Sequence, residues 1–261
     1  MNFTYQTLKV EIQKDLAKVF LSRPELHNAF NEVMIAELTD AFALLAKEAS
    51  IRVVWLKGAG ESFCAGADLN WMKKVPQFTR EENIEDSQKL YRMFESIDQC
   101  PKPVIAEVNG AAVGGGVGLV AVADMAFAHE KAVLGLSEVR LGLIPAVISP
   151  FVIRKIGVAA AREYFLSAER FSASQAKSLG LINEVGNPEQ IEQKILEKIK
   201  FLRQAAPGAL ADCKRLIRDV GQALPQDLAL LTATRIAERR MSEEGQEGMN
   251  AFLEKRKANW S

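Results

Sequence analysis

Two stretches of the chain combine small residues in a way that could do chemistry. FCAGADLN (Phe63 to Asn70) and NGAAVGGGVGLVAVADM (Asn109 to Met125) each deliver a small-residue turn directly after an apolar, strand-like run. Turns of this kind hold backbone N–H groups in fixed positions. Two such groups converging on one carbonyl oxygen would stabilise the negative charge that develops there in acyl or enolate chemistry. The pattern points to an enzyme.

The other reactive residue types are sparse. Of the two histidines, His27 reads as a solvated loop residue, and His129 closes the alternating run Met125–Phe127–His129 as a packed or surface residue. Neither has a cysteine or carboxylate at metal-ligand spacing, so no metal site is expected. No GxSxG elbow supports a Ser–His–Asp triad, and no Walker A sequence is present. Gly116-x-Gly118-x-x-Ala121, with Glu138 twenty residues beyond Gly118, formally satisfies the relaxed dinucleotide fingerprint. It lies in mid-chain rather than at a first βα turn, within a run of three glycines that close helix–strand packing alone would explain.

Composition narrows the partners. The 261 residues are 48% hydrophobic and 25% charged, as in a globular chain with a large core. Lysine plus arginine equals aspartate plus glutamate at 33 each, so no net field draws nucleic acid or an anionic membrane. The opening MNFTYQTLKVEIQKDLAKVFL lacks the basic, apolar and small-residue regions of a signal peptide. No apolar run approaches the roughly eighteen residues of a membrane span. Cys64, Cys100 and Cys213 are too far apart in sequence for a CxxC pair and fit a reducing compartment, so the cytoplasm is the expected address.

The elements that must position the two turns follow from periodicity. Thr7–Val10 and Ala17–Leu21 alternate like half-buried strands around a QKD turn. Asn31–Lys47 is helical, with Met34, Leu38, Ala41 and Leu45 on one face, and Val53–Leu56 follows as a short buried strand. The alternation continues through helix Glu81–Ile97, strand Pro103–Val108, helix Gly116–Ala123 and strand Met125–Ala128. Strands alternating with helices imply an α/β fold with a mainly parallel sheet covered on both faces. Beyond Pro150 the strand signals fade. Helices are expected at Ala159–Leu166, Ser174–Leu179, Glu189–Leu202, Leu210–Val220, Gln226–Arg240 and Glu244–Lys257, with Ser172 and Ser174 as caps and Gly180 as a C′ residue.

These motifs carry a specific resemblance. FCAGADL, the NG-x3-GGG-x4-V-x-A-D-M pattern and LSEVRLGLIP (Leu136 to Pro145) are similar to the enoyl-CoA hydratase/isomerase, or crotonase, superfamily. RPELHNAF (Arg23 to Phe30) resembles its early CoA-contacting loop, FSASQAKSLGLINEV its short helix and following strand, and EGMNAFLEKRKANW its C-terminal helix. The resemblance implies a crotonase-like core of repeated ββα units over 1–195 and a helical trimerisation and CoA-capping region over 196–261. It implies a homotrimer or homohexamer, an acyl-CoA thioester as substrate, and no cofactor beyond the CoA that the substrate carries.

By the same resemblance, the N–H groups of Ala67 and Gly115 would hold the thioester carbonyl, and a side chain at Gly115 would keep that carbonyl from the backbone. Ala65, Asp68, Leu69 and Asn70 would border the CoA, with Leu26 and Ala29 at its entrance and Lys255 near its phosphates. From the residues alone, Lys255 is equally one solvated charge in EKRK. Glu138 aligns with one of two family glutamates that hold water and move a proton. Its bland alternative is a surface carboxylate paired with Arg140 or Arg154. One relative in the superfamily binds RNA through a lysine-rich early helix, but Asn31–Ser50 has one lysine against four acids.

The chain departs from the best-known hydratases in two places. Gly118 stands where the second glutamate is expected, and AVISPFV (Ala146 to Val152) replaces a glycine-rich GGTQ-like stretch. A single glutamate suffices to shuttle one proton between carbons, so a double-bond isomerase is an alternative, as is a catalytically weak acyl-CoA-binding protein. LxEVRLGLxPAxISPFV also resembles hydratases of branched or carboxylated enoyl-CoA, including the methylglutaconyl-CoA type. A hydratase of that kind, with Arg140 or a nearby cation reading an acyl carboxylate, is the expectation.

Overall fold

The computed structural model describes residues 3–260. The chain opens as the expected hairpin, β1 (Leu8–Gln13) antiparallel to β2 (Leu16–Leu21), closed by a two-residue turn in which Lys14 takes a φ of 59°. Helix α1 (Glu32–Lys47) starts where Asn31 accepts the Met34 N–H at 2.9 Å, and leads to β3 (Val53–Gly58). A short α2 (Leu69–Lys74) and α3 (Arg80–Asp98) follow, the latter opened by a capping box between Thr79 and Glu82. Then come β4 (Val104–Val108), β5 (Ala112–Val113), α4 (Gly115–Val122), β6 (Met125–His129) and β7 (Val133–Gly135).

A six-stranded sheet runs in the order β1, β2, β3, β4, β6, then β9 (Glu184–Gly186), and every pairing after the hairpin is parallel. Successive strand side chains point to opposite faces, and both faces are dry. Ala17, Val54, Leu56, Ala106 and Ala128 join α1, α3 and α4 in the main core. Leu16, Val53, Trp55, Ile105 and Phe127 face Ile191, Ile195 and Ile199 of α7 (Pro188–Leu202). A second sheet, in the order β5, β7, β8 (Arg170–Ser172), braces the turn ahead of α4.

Two expectations need correction. The helix expected at Ala159–Leu166 is the second half of α5 (Ser149–Ser167), which breaks at Gly157, φ 75°. Strand β8, beyond Pro150 and three residues long, is too short to carry a period, whereas β9 is the strand expected after the short helix of FSASQAKSLGLINEV. Residue 195 lies inside α7, whose Ile191–Ile195–Ile199 stripe buries against the sheet. Between β8 and β9, α6 (Ala173–Ser178) is capped by Ser172, and Gly180 takes the left-handed φ of a C′ residue at 81°.

The last three helices are α8 (Pro207–Gln222), α9 (Leu228–Met241) and α10 (Glu243–Leu253). Lys214 of α8 ties them to the core, donating to Asp124 at 2.7 Å and to the Lys102 carbonyl at 3.0 Å. No helix among the described residues is long and apolar enough to cross a membrane.

Candidate active site

The first turn leaves β3 at Gly58 and runs alongside the second. Phe63 and Cys64 both donate their N–H groups to the Ala111 carbonyl, and the Val113 N–H returns to Cys64. Farther on, Phe30 and Ala67 form a parallel bridge: the Phe30 N–H donates to Gly66 and the Asp68 N–H to the Phe30 carbonyl, each at 2.7 Å. In a parallel bridge the neighbours of the bridged residue make the bonds, so the N–H of Ala67 itself points away from Phe30. Among the described residues no acceptor takes it, and Ala67 is exposed.

The second turn is set by Gly114. Its N–H donates to Gly135 at 2.8 Å, its φ and ψ are 52° and −116°, and its carbonyl receives the N–H groups of Val117 and Gly118. Gly115 is therefore the first residue of α4, and its N–H belongs to the unsatisfied donors at a helix start, where the helix dipole adds positive potential. The immediate reason for a glycine at 115 is a neighbouring ring: a Cβ would stand 2.7 Å from Cε2 of Phe30.

Glu138 opens a 3-10 turn just past β7, and the parallel pairing of Val113 with Gly135 carries it to the second turn. Its Oε1 lies 3.0 Å from where a Cβ on Gly114 would stand. Its Oε2 is the one buried side-chain oxygen without a hydrogen-bond partner among the described residues. Burial raises its pKa above the ordinary glutamate value. The ion pair weighed for it does not form: Arg154 pairs with Asp98, and Arg140 is exposed with no carboxylate partner among the described residues. An unpaired, half-buried carboxyl at the turn that carries the unengaged Gly115 N–H can exchange a proton with something bound there.

The slot beside Gly118 is closed. A Cβ there would lie 2.5 Å from Cγ2 of Ile148 and 2.9 Å from Cε1 of Phe94. The two sequence departures are thus one packing unit, because Ile148 comes from the AVISPFV stretch.

The residues expected along the CoA divide. Leu26, Leu69 and Asn70 are exposed, the last two just after Ala67 in the chain, Ala65 is half-buried, and Ala29 is buried with its carbonyl held by Arg23. Asp68 does not present its side chain to a ligand. It is buried, paired with Arg23 at 2.7 Å, and caps α2 by accepting the Asn70 N–H. Lys255 follows α10, whose main packing partners are α9 and α8. It is held by the C-terminal helices rather than by the loops of Ala67 and Gly115. His27 is the exposed loop residue expected, its Nδ1 3.0 Å from the Ser62 hydroxyl, and His129 packs against buried Glu107. Arg23, Phe30 and Ile148 had no individual role in the sequence, although Arg23 and Phe30 delimit the RPELHNAF motif and Ile148 lies in the altered AVISPFV loop.

A cavity of about 590 Å³ among α8, α9 and α10 is lined by Cys213, Leu216, Ile236 and Met249. Of its charges, Arg239 pairs with Asp212 and Glu244, and Arg235 with Asp219 and Glu238, and among the described residues no carboxylate in the cavity is left unpaired beside a free backbone N–H. The unengaged backbone N–H groups and the unpaired Glu138 carboxyl lie at the two turns.

The same arrangement of chain is found in known proteins. The structure superimposes on an enoyl-CoA hydratase from Shewanella pealeana with a TM-score of 0.94 and 41% identity, covering 98% of this chain and 96% of that one. The enoyl-CoA hydratase ACTT6 of Alternaria alternata is 37% identical over 211 residues, 79% of this chain and 67% of that protein. The crotonyl-CoA hydratase of Syntrophomonas wolfei is 31% identical over 266 residues, 98% of each. The model of the enoyl-CoA hydratase/isomerase family matches residues 11–261, which takes in both turns, Glu138 and the C-terminal helices. With sequence, topology and paired turns in agreement, the chain belongs to the enoyl-CoA hydratase/isomerase family, the crotonase superfamily of enzymes.

Proposed function

We propose that this protein is an enoyl-CoA hydratase, a lyase that adds water across the α,β double bond of an acyl-CoA thioester. The observation that carries the reading is the unpartnered Oε2 of Glu138, whose carboxyl stands over Gly114 next to the free N–H of Gly115, with the free N–H of Ala67 on the adjoining turn. The thioester oxygen accepts from the two N–H groups. Glu138 takes a proton from water as the water oxygen bonds to the β-carbon. The double-bond electrons move onto the α-carbon and carbonyl, giving an enolate that the two donors stabilise, and Glu138 returns the proton to the α-carbon. Atoms balance without a cofactor, and CoA enters only as part of the substrate.

The test is loss of enoyl absorbance when purified protein meets crotonyl-CoA, repeated with Glu138→Gln. Turnover that survives at the wild-type rate in the variant would remove Glu138 from the mechanism. The apolar closure at Gly118 favours a second reading, double-bond migration by one carboxyl, and product analysis separates a hydroxyacyl product from a shifted alkene.

The substrate we infer is a branched or carboxylated enoyl-CoA such as 3-methylglutaconyl-CoA, its acyl carboxylate read by the exposed Arg140 two residues from Glu138. Equal kcat/KM on crotonyl-CoA and 3-methylglutaconyl-CoA would reject that selectivity. We infer further that the protein works in the cytoplasm as a homotrimer or homohexamer. Met241 and Phe252, each 83% exposed on the C-terminal helices, suit contact with another copy.

A further inference from the structure

Both N–H donors are referenced to a single residue, Phe30. Its backbone bridges Ala67, and its ring lies against Gly115, with Cε2 2.7 Å from where a Cβ would stand. What fixes Phe30 is a buried ionic clamp. Arg23 donates from Nη1 to the Ala29 carbonyl at 2.6 Å and from Nη2 to Asp68 Oδ2 at 2.7 Å, and the two charged side chains are only 13% and 5% exposed. One guanidinium thus grips the residue before Phe30 and the residue after Ala67. Around it, buried Asn28 accepts the Arg23 N–H and donates to the carbonyls of Ala59 and Ser62, both at 2.8 Å. The loop that carries Phe30 is anchored to the first turn on both sides.

We propose that Arg23 and Asp68 are positioning residues that set the separation of the Ala67 and Gly115 N–H groups through Phe30. The proposal rests on the acyl-thioester reading of the site. Neither side chain needs to touch substrate. Their effect is geometric: if the clamp loosens, the segment 66–68 shifts against Phe30, and the two donors no longer converge on one oxygen. A planar guanidinium can fork between two acceptors, whereas a lysine ammonium cannot reproduce that planar grip, so Arg23→Lys keeps the charge and loses the geometry.

The test uses the full chain, with Arg23→Lys, Asp68→Asn and their double variant. Each is measured for kcat, KM and thermal midpoint, and then in a Glu138→Gln background for the infrared thioester C=O frequency of bound crotonyl-CoA. Phe30→Leu serves as a second route to the same displacement. The expected result is a kcat about 10- to 100-fold lower with KM within about threefold, the size of effect that follows an ångström-scale misplacement. The C=O shift towards lower frequency should shrink in parallel, and the double variant should lose no more than the worse single one. A wild-type kcat and an unchanged C=O frequency in Arg23→Lys and Asp68→Asn would overturn the proposal. So would a lower thermal midpoint with full kcat in the folded protein. If bound crotonyl-CoA shows no C=O shift even with Arg23 and Asp68 intact, the acyl-thioester reading itself falls, and this proposal with it.

Discussion

Cγ2 of Ile148 lies 2.5 Å from the point where a Cβ on Gly118 would stand, with the Phe94 ring 2.9 Å away on another side. Gly118 is therefore more than a missing carboxylate. The space that a second glutamate would enter is filled from the loop ahead of α5 and from α3. Gly118→Glu should accordingly lower stability and restore nothing. It crowds a packed core, which costs about 1–3 kcal/mol, and it buries a charge that has no partner there. Adding Ile148→Gly should recover part of the loss. Urea melts of the single and double variants check this, and equal stability of Gly118→Glu and wild type would refute it.

The pH dependence of the rate should carry the mark of Glu138. Its pKa is raised above 4.5 chiefly by burial. A base acts in its ionised form, so kcat/KM should fall as pH drops through a midpoint above the ordinary glutamate range. Glu138→Gln should remove that limb and lower the rate about 100- to 10,000-fold. The sign for stability is the reverse. A carboxyl whose folded pKa is raised destabilises the fold where it is charged, and that cost disappears as pH falls through the folded value. The glutamine variant should therefore melt higher than wild type at neutral pH. A lower midpoint there would argue against an unpaired, desolvated charge.

Much of this arrangement was legible from residue spacing, and the part that was not has physical causes. Helices α1, α3 and α7 announce themselves through apolar residues at helical spacing, and β3, β4 and β6 through β-rich runs bracketed by turns. Strands β5, β7 and β8 are two or three residues long, so no alternation exists to read, yet they bring Glu138 to Gly114. Asp68 shows the limit at the site itself. Its place in AGADLN suggested a ligand contact, but its partner Arg23 is 45 residues away, and only the fold brings the two together. Gly118 and Ile148 were both visible as departures, but their contact is a property of packing.

Gly114→Ala should be more damaging than its size suggests. The residue sits at φ 52° and ψ −116°, a conformation open to glycine and strained for alanine. An added methyl would also stand 3.0 Å from Oε1 of Glu138, pressing on the carboxyl that the reaction needs. Both effects act at the start of α4, so kcat should drop together with about 1–3 kcal/mol of stability. Steady-state kinetics and thermal melts on one preparation test this. Loss of stability with full kcat would show that Glu138 tolerates the methyl.

Glu107 offers a control outside the active site. It is buried on the face of the sheet covered by α7, receiving Lys57 at 2.6 Å, His129 at 2.9 Å and the Trp55 indole N–H at 3.1 Å. Burial opposes its ionisation, but the bonds from His129 and Lys57 outweigh it and hold the pKa below the ordinary value. Glu107→Gln leaves the Lys57 ammonium without its counter-charge. The expected cost is about 3 kcal/mol, the low end for breaking a buried pair, because Lys57 is one-third open to water. A depressed carboxyl contributes its stability above the unfolded pKa and loses it as pH falls through the folded one. The gap between wild type and Glu107→Gln should therefore be widest near neutral pH and narrow in acid, while kcat per folded molecule stays the same. Chemical melts across that pH range read the first outcome and crotonyl-CoA turnover the second. A constant gap would mean that the cluster contributes through packing rather than charge.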